Sequence, residues 1–419
     1  MTQYVRNGSR VPVCGRLKFS GWTVILAEGL FVTVVFIVVG LWGWLVAIVL
    51  LFHMITVTYC IGSDRRIRSQ NRQSSLEILP EVTVIVAARD EQHAIGQTLH
   101  MLLELDYPNL RIIAVNDRSS DQTGLIMDNI ADSDERLLVH HVHVLPDGWL
   151  GKNYANYCAA LRVESPWILF TDGDVEFQPD TLMETIRYAN QKQLDHLAVI
   201  PGMKRGAFWE NAVVCTFGML FRILFNPMLI QSRWSKFYVG VGAFNLIRRS
   251  SYEAIGTHRR LAMEILDDLK LGKLVKKNRF RQGLLVASDL IQVRWQFGVG
   301  GVVRGLEKNG FAFFGYSMGQ ALIQNVGFLL VFLFPYLAVW IFPWPVNSGF
   351  AVSLMLLQGL CSAVVLREKY GLVMLLFLPI TMLIVQYAMW RSIFLTRLRQ
   401  GVIWRETFYP LDQLRDRIV

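Results

Sequence analysis

Charged side chains are missing from three long stretches of this 419-residue chain, residues 29–63, 309–366 and 370–390, which hold 35, 58 and 21 residues. A helix needs about 20 apolar residues to cross a bilayer, so these gaps exclude an ordinary soluble globule. Over the whole chain only 18% of residues are charged, against about 25% in an average soluble domain. Cysteine is sparse as well. Cys14, Cys60, Cys158, Cys215 and Cys361 are far apart with no CxxC spacing, which excludes a disulfide framework and a zinc cluster and reads as a reducing compartment. Internal repeats, low-complexity tracts and nucleic-acid-binding motifs are absent, so nucleic acid is set aside as a partner. What is abundant is hydrophobic, 53% of residues, and basic: 42 Lys and Arg against 33 Asp and Glu leave a net charge of +9. That excess suits an anionic membrane surface or an anionic ligand.

The first gap holds one generous span, residues 30–52, because two spans and a turn need about 40 residues or more. A polar, basic lead-in and a stretch longer than a leader's apolar core make it a signal anchor rather than a cleaved signal. The second gap accommodates two spans, with Pro343-Trp-Pro-Val-Asn-Ser-Gly349 as the turn between them. The third supplies a final span or a re-entrant hairpin around Pro379. The expected organisation is a tail and anchor over residues 1–62, a polar domain over 80–309, about three membrane segments over 310–392, and a basic tail over 393–419. Four basic residues precede the first span (Arg6, Arg10, Arg16, Lys18) and four follow it (Arg65, Arg66, Arg68, Arg72), so the positive-inside rule ties. Three full C-terminal crossings would set Arg391, Arg397, Arg399 and Arg405 opposite a cytosolic domain, which that rule disfavours; it is met if one segment does not cross.

Between the apolar regions, strand and helix signals alternate. Apolar runs at residues 82–88, 110–116 and 167–171 and an alternating run at 136–144 read as strands, with helical patterns after them. That order implies an α/β fold with a mostly parallel, Rossmann-like sheet, in which ligands bind beyond the carboxyl ends of the strands. Acidic residues gather there. The first strand ends in Arg89-Asp-Glu91, the second in Asn116-Asp-Arg-Ser-Ser-Asp121, and the fourth in Thr171-Asp-Gly-Asp174. Two carboxylates flanking Gly173 suit a hard divalent cation bridging to a diphosphate, although Asp-x-Asp by itself also describes an Asx turn. Farther on, Asp267 and Asp268 open an amphipathic helix, where a carboxylate serves either as an N-cap or as a base that deprotonates an acceptor hydroxyl.

Several elements occur in order: Val84 to Glu91, Val115-Asn-Asp-Arg-Ser-Ser-Asp-Gln-Thr123, Leu145-Pro-Asp-Gly-Trp-Leu-Gly-Lys152, Asp172-Gly-Asp174, Gly242-Ala-Phe-Asn-Leu-Ile-Arg248 and Asp267-Asp268. Together they resemble the membrane-bound family 2 glycosyltransferases, which have a GT-A fold, over about residues 82–309. The resemblance implies that Glu91 and Asp117 hold the nucleotide, and that Asp174 with Asp172 binds Mg²⁺ or Mn²⁺ on the diphosphate of a nucleotide-sugar donor. It further implies that Lys152 and Asp267 lie close to that donor, that Asp268 is the general base, and that displacement is direct with inversion. Polysaccharide synthases of the family and ceramide glucosyltransferases carry Gln-x-x-Arg-Trp after the base; here Ile291-Gln-Val-Arg-Trp295 keeps only Arg294 and Trp295, both expected at the substrate. That departure weighs against a processive synthase. Gly148-Trp-Leu-Gly-Lys152 and Gly305-Leu-Glu-Lys-Asn309 look more like the branch acting on hopanoids, carotenoids and related lipids, as do Trp404, Arg405 and Tyr409. The expectation is an inverting, metal-dependent transferase moving glucose from UDP-glucose to a lipid acceptor, its domain on the cytosolic face. The alternatives are a processive polysaccharide synthase and a non-catalytic sugar-nucleotide-binding membrane protein.

Other features carry less. The basic run from Lys270 to Arg281 reads as a solvated helix face or a phospholipid contact. Residues 208–230 are apolar but interrupted by Glu210, Arg222 and Asn226, as in an interfacial helix. His140, His141 and His143 alternate along a strand with no fourth ligand near, and Gly240-Val-Gly242 lacks the third glycine of a dinucleotide fingerprint.

Overall fold

The computed structural model describes residues 21–72, 79–404, 407–416 and 419. The basic residues of the lead-in, Cys14 and Arg405 lie outside them. Among the described residues twelve strands form three sheets: β1 (Val82–Ala88), β2 (Leu110–Asp117), β3 (Leu137–Val142), β4 (Trp167–Asp172), β5 (Glu176–Phe177), β6 (His196–Ile200), β7 (Gly202–Met203), β8 (Asn245–Arg248), β9 (Gln282–Val286), β10 (Ile291–Val293), β11 (Gly401–Trp404) and β12 (Thr407–Pro410). The main sheet runs β3-β2-β1-β4-β8-β6-β9, all parallel pairings except where β8 meets β4 and β6. β5, β10 and β7 make a small second sheet and β11 and β12 a hairpin. This is the α/β, GT-A arrangement that the order of motifs leads one to expect.

The central strands are apolar throughout because helices cover both faces. Val82, Val84, Val86, Ile112 and Leu169 point to one buried cluster, and Ile85, Ile113, Ile168 and Phe170 to the other. β6, β8 and β9, which sequence patterning did not single out, complete the sheet with Leu197, Leu246 and Leu284 fully buried. Strand order reverses about β1, flanked by β2 and β4, and the crevice at such a switch point is where ligands sit.

Among the described residues, five helical stretches are long and apolar enough to cross a membrane: Val32–Gly62, Phe208–Gln231, Met318–Ile341, Ser348–Arg367 and Leu372–Arg399. The expected anchor at 30–52 belongs to one continuous helix, Gly21–Arg72, whose polar end reaches the sheet domain, where the Tyr188 hydroxyl donates to Asp64 Oδ1 at 2.7 Å. Pro379 breaks nothing. It occupies the first turn of the Leu378–Arg399 helix, where a missing N–H costs no hydrogen bond, so there is no hairpin around it.

The ends of these helices fall into two groups. At one, the 343–347 turn lies beside the first helix: Phe342 meets Phe36 edge-on at 6.1 Å, and Ser353 Oγ donates to the Gly43 carbonyl at 3.2 Å. At the other, Arg367 donates to the Val286 carbonyl at 2.6 Å, Glu368 accepts from the Met203 N–H at 3.2 Å, and Tyr370 donates to the Met203 carbonyl at 3.1 Å. The 367–370 connection is therefore fastened to the sheet domain.

Candidate active site

Parallel registration sets the strand ends level, since Ala88 pairs with Asn116 and Ala87 with Asp172. Glu91, Asp117, Asp172 and Asp174 consequently line one cavity of about 750 Å³, together with Lys152, Asp267, Asp268 and Trp295.

Two loops that form one rim are laced together. The Ser120 N–H donates to Asp90 Oδ1 at 2.7 Å, the Glu91 N–H to Thr123 Oγ1 at 2.8 Å, and the Gln92 N–H to Asp121 Oδ2 at 3.1 Å. Asp90 and Arg118 both take φ 53°, a left-handed conformation costly for non-glycine residues and held here by this lacing. Arg118 grips the buried Asp117 with Nε to Oδ1 at 2.8 Å and Nη2 to Oδ2 at 3.2 Å. The acidic triplet at the end of β4 is braced in turn: Thr171 Oγ1 donates to the Ala243 carbonyl at 2.8 Å and Thr98 Oγ1 to the Gly173 carbonyl at 3.0 Å.

Electrostatics divide the cavity floor. Lys152 Nζ is 2.6 Å from Asp172 Oδ1 and 3.8 Å from Asp267 Oδ2. Burial disfavours its charge, but Asp172, Asp267 and Asp268 outweigh that and hold the amine protonated far above its usual range. Asp174 reaches solvent at the mouth, yet the low-dielectric wall behind it and the charges of Asp172 and Glu91 push its carboxyl up to about 6. Burial, and then the neighbouring Asp267, also raise Asp268. Asp172 and Glu91 crowd Asp174 with like charge, which a divalent cation would relieve. Among the described residues no three His, Cys, Asp or Glu side chains converge to hold a metal unaided. Two carboxylates such as Asp172 and Asp174 would leave most positions on Mg²⁺ or Mn²⁺ to phosphate and water oxygens, a ligand set that Mg²⁺ accepts.

Asp268 sits in the first turn of the Asp267–Lys277 helix, with Oδ1 accepting from the Leu269 N–H at 2.7 Å. A buried polar network underneath positions it: Asn245 Nδ2 donates to the Asp268 carbonyl at 3.3 Å, His196 Nε2 pairs with Asn245 Oδ1, and Gln282 Nε2 lies 3.1 Å from His196 Nδ1. Burial lowers His196 to about 4, so it stays neutral in this role.

Gly240 and Gly242, dismissed above as a weak fingerprint, have a steric purpose instead. A Cβ on Gly242 would come 2.7 Å from Asp172 Oδ2, and one on Gly240 would come 1.7 Å from the Asp268 carbonyl oxygen. Gly242→Ala therefore displaces one flexible carboxylate and is expected to cut turnover roughly 10- to 100-fold with little change in melting temperature. Gly240→Ala must move a helix and is expected to lower the melting temperature as well. Melting curves and initial rates measured side by side check both; an equally active Gly242→Ala would refute the close approach.

Beyond the acids the cavity continues between helices as an apolar arm lined by Phe217, Phe221, Phe225, Phe328, Phe332 and Met389. Trp295 stacks on Phe217 there, with centroids 4.4 Å apart. Arg294 does not join the cavity lining. Its Nε is 3.4 Å from Glu210 Oε1, and its guanidinium lies 4.2 Å from the Phe297 ring centre. Of the histidines, His141 is engaged by Asn116 at 3.1 Å and Asp128 at 3.0 Å on the β3 face.

Among the residues that enter the cavity from the C-terminal third are Lys308, Trp404 and Tyr409. The tail residues were legible only as family signature, and Lys308 only as part of Gly305–Asn309. A lone lysine far from the acids in sequence carries no signal of what it will face.

Fold and site together define a GT-A-type α/β domain with an acidic pocket at its switch point. Residues 83–256 match the model of glycosyl transferase family 2. It is similar to 4,4'-diaponeurosporenoate glycosyltransferase of Staphylococcus aureus strains USA300 and NCTC 8325, 27% identical over 201 residues, which is 46% of this chain and 50% of that protein. The chain thus matches about half the length of these relatives. Among solved structures it is similar to a mannosyltransferase from Pyrobaculum calidifontis in complex with GDP-Man and Mn²⁺ (14% identity, 85% of this chain and 99% of that one, TM-score 0.48). TarS 1–349 of S. aureus in complex with UDP-GlcNAc gives 14% identity, 78% and 95% coverage and a TM-score of 0.39.

Proposed function

We propose that the protein is an inverting, divalent-metal-dependent transferase that moves a sugar, glucose from UDP-glucose, to a hydroxyl or carboxyl oxygen of a membrane lipid. The observation that carries this reading is the single cavity in which an acidic pocket at the strand ends opens into an apolar arm between candidate membrane helices. A water-soluble acceptor has no use for such an arm. A relative named for a carotenoid acid supports the same acceptor class.

In this reading Glu91 and Asp117 bind the nucleoside, and Lys152 orients the diphosphate. Asp172 and Asp174 hold Mg²⁺ or Mn²⁺, which when bound neutralises diphosphate charge. Trp295 lines the passage between arm and pocket. Asp268, fixed through Asn245, accepts the proton of an acceptor hydroxyl as its oxygen bonds to the anomeric carbon. The defining experiment incubates the purified chain with labelled sugar nucleotides and a lipid extract of its host. One labelled sugar on a lipid is expected by mass spectrometry; polymeric product or no transfer to lipid would overturn the assignment.

The same reading places the chain across the bilayer three times, through the first helix, Met318–Ile341 and Ser348–Arg367. Leu378–Arg399 lies along the interface, because the connection before it is tied to Met203 and Val286 and the hairpin after it reaches the cavity through Trp404 and Tyr409. Arg391 and Arg399 both pair with Glu307, at 3.0 and 2.9 Å. Domain and tail then share one face, the cytosolic one, and the conflict with the positive-inside rule disappears. In sealed vesicles of a chain lacking its native cysteines, Asn347→Cys is expected to react with an impermeant thiol reagent from the side opposite to His93→Cys and Asp412→Cys. Labelling of position 412 from the side of position 347 would refute it.

A further inference from the structure

The family resemblance puts Arg294 at the substrate, yet Arg294 is occupied elsewhere. Glu210, its partner, is buried and also accepts the N–H of Gly298 at 2.7 Å, so the pair fastens the start of the Gly298–Phe313 helix. Farther along this helix Lys308 turns into the cavity. Its Nζ lies 4.2 Å from the ring centre of Trp404, delivered by β11 of the tail hairpin. Among the described residues no carboxylate comes within ion-pair distance of that ammonium, although Lys308, Asp172, Asp267 and Asp268 line the same space. Lys152 is different, being already engaged by Asp172 and Asp267.

We propose that Lys308, held against the face of Trp404, is a catalytic residue that grips the donor's diphosphate in the place the resemblance assigned to Arg294. The inference rests on the nucleotide-sugar reading above and names the cation of that site. A charged amine half-buried in a cavity wall with no carboxylate in contact is costly unless an anion completes it, and a ring face retains it only in part. Burial and Lys152 lower its amine to about 8, which leaves it mainly charged at neutral pH. During transfer the acceptor oxygen bonds to the anomeric carbon and the bond from that carbon to the β-phosphate oxygen breaks. The electron pair departs with the nucleoside diphosphate, and a hydroxyl acceptor's proton goes to Asp268. Negative charge grows on the departing oxygen, where a preorganised cation in a low-dielectric cavity acts most strongly. Trp404 acts through Lys308 and is a positioning residue.

The test uses the full chain in detergent with Mn²⁺, titrated with UDP and with uridine, alongside steady-state transfer from UDP-glucose. Lys308→Met is expected to weaken UDP binding about 10-fold or more, leave uridine binding unchanged, and lower kcat about 100-fold. Lys308→Arg is expected to restore UDP binding to within a few fold, and Trp404→Leu to raise KM for the donor more than it lowers kcat. Wild-type UDP binding and turnover in Lys308→Met would overturn the proposal while leaving the parent reading intact. Failure of the wild-type chain to bind UDP at all would overturn both. If Lys308→Met does not fold, Lys308→Arg and Trp404→Leu decide: equal UDP affinity and KM in Trp404→Leu would refute the Lys308–Trp404 unit.

Discussion

Asp268→Asn is expected to bind the sugar nucleotide as the wild-type protein does while losing turnover about 10³-fold, within the range for removing a general base. Asparagine is isosteric and retains the contact to the Leu269 N–H, so the loss falls on proton acceptance rather than on folding. Equal rates would refute the assigned base. The pH profile follows with a definite sign. Burial and the adjoining Asp267 raise the Asp268 carboxyl above its ordinary range near 4. A base must be ionised to work, so kcat should fall on acidification while the solution is still well above that ordinary range, and a charged Lys308 adds a second fall as the pH rises through about 8. The same profile in Asp268→Asn would mean that another group titrates.

The second large effect is loss of metal. Asp172 and Asp174 flank Gly173 at the end of β4, with more carboxylate than nearby cation, and a donor diphosphate adds further negative charge. EDTA is expected to abolish transfer, Mn²⁺ or Mg²⁺ to restore it, and Asp174→Ala to raise the Mn²⁺ concentration needed for half-activity at least about 10-fold, an estimate in line with the loss on disturbing metal-site residues. Full activity in chelator would remove the metal from the mechanism.

Much of the sheet was legible. β1, β2 and β4 are mostly apolar runs buried on both faces, and such runs announce themselves without partners. β8 and β9 were not, because their four or five residues gain strand character only from pairing with β4 and β6. The acids of the site were visible since they leave strand ends that a parallel sheet brings level. Lys308, Trp404 and the diversion of Arg294 to Glu210 were not, because each depends on how helices after residue 297 fold back over the cavity. Pro379 misled for a related reason: proline breaks a helix interior but is welcome in its first turn, and only the tertiary course tells which it occupies.

Sequence by itself determined the class of fold, the apolar segments and the carboxylates of the pocket, since periodicity and short-range spacing encode all three. Tertiary structure alone decided that Lys308 shares a cavity with those carboxylates, why Gly240 and Gly242 must lack side chains, and that the tail hairpin reaches the cavity. The physical reason is range: strand periodicity acts over a few residues, whereas charge pairing and steric closeness join residues tens of positions apart through contacts that no local pattern records.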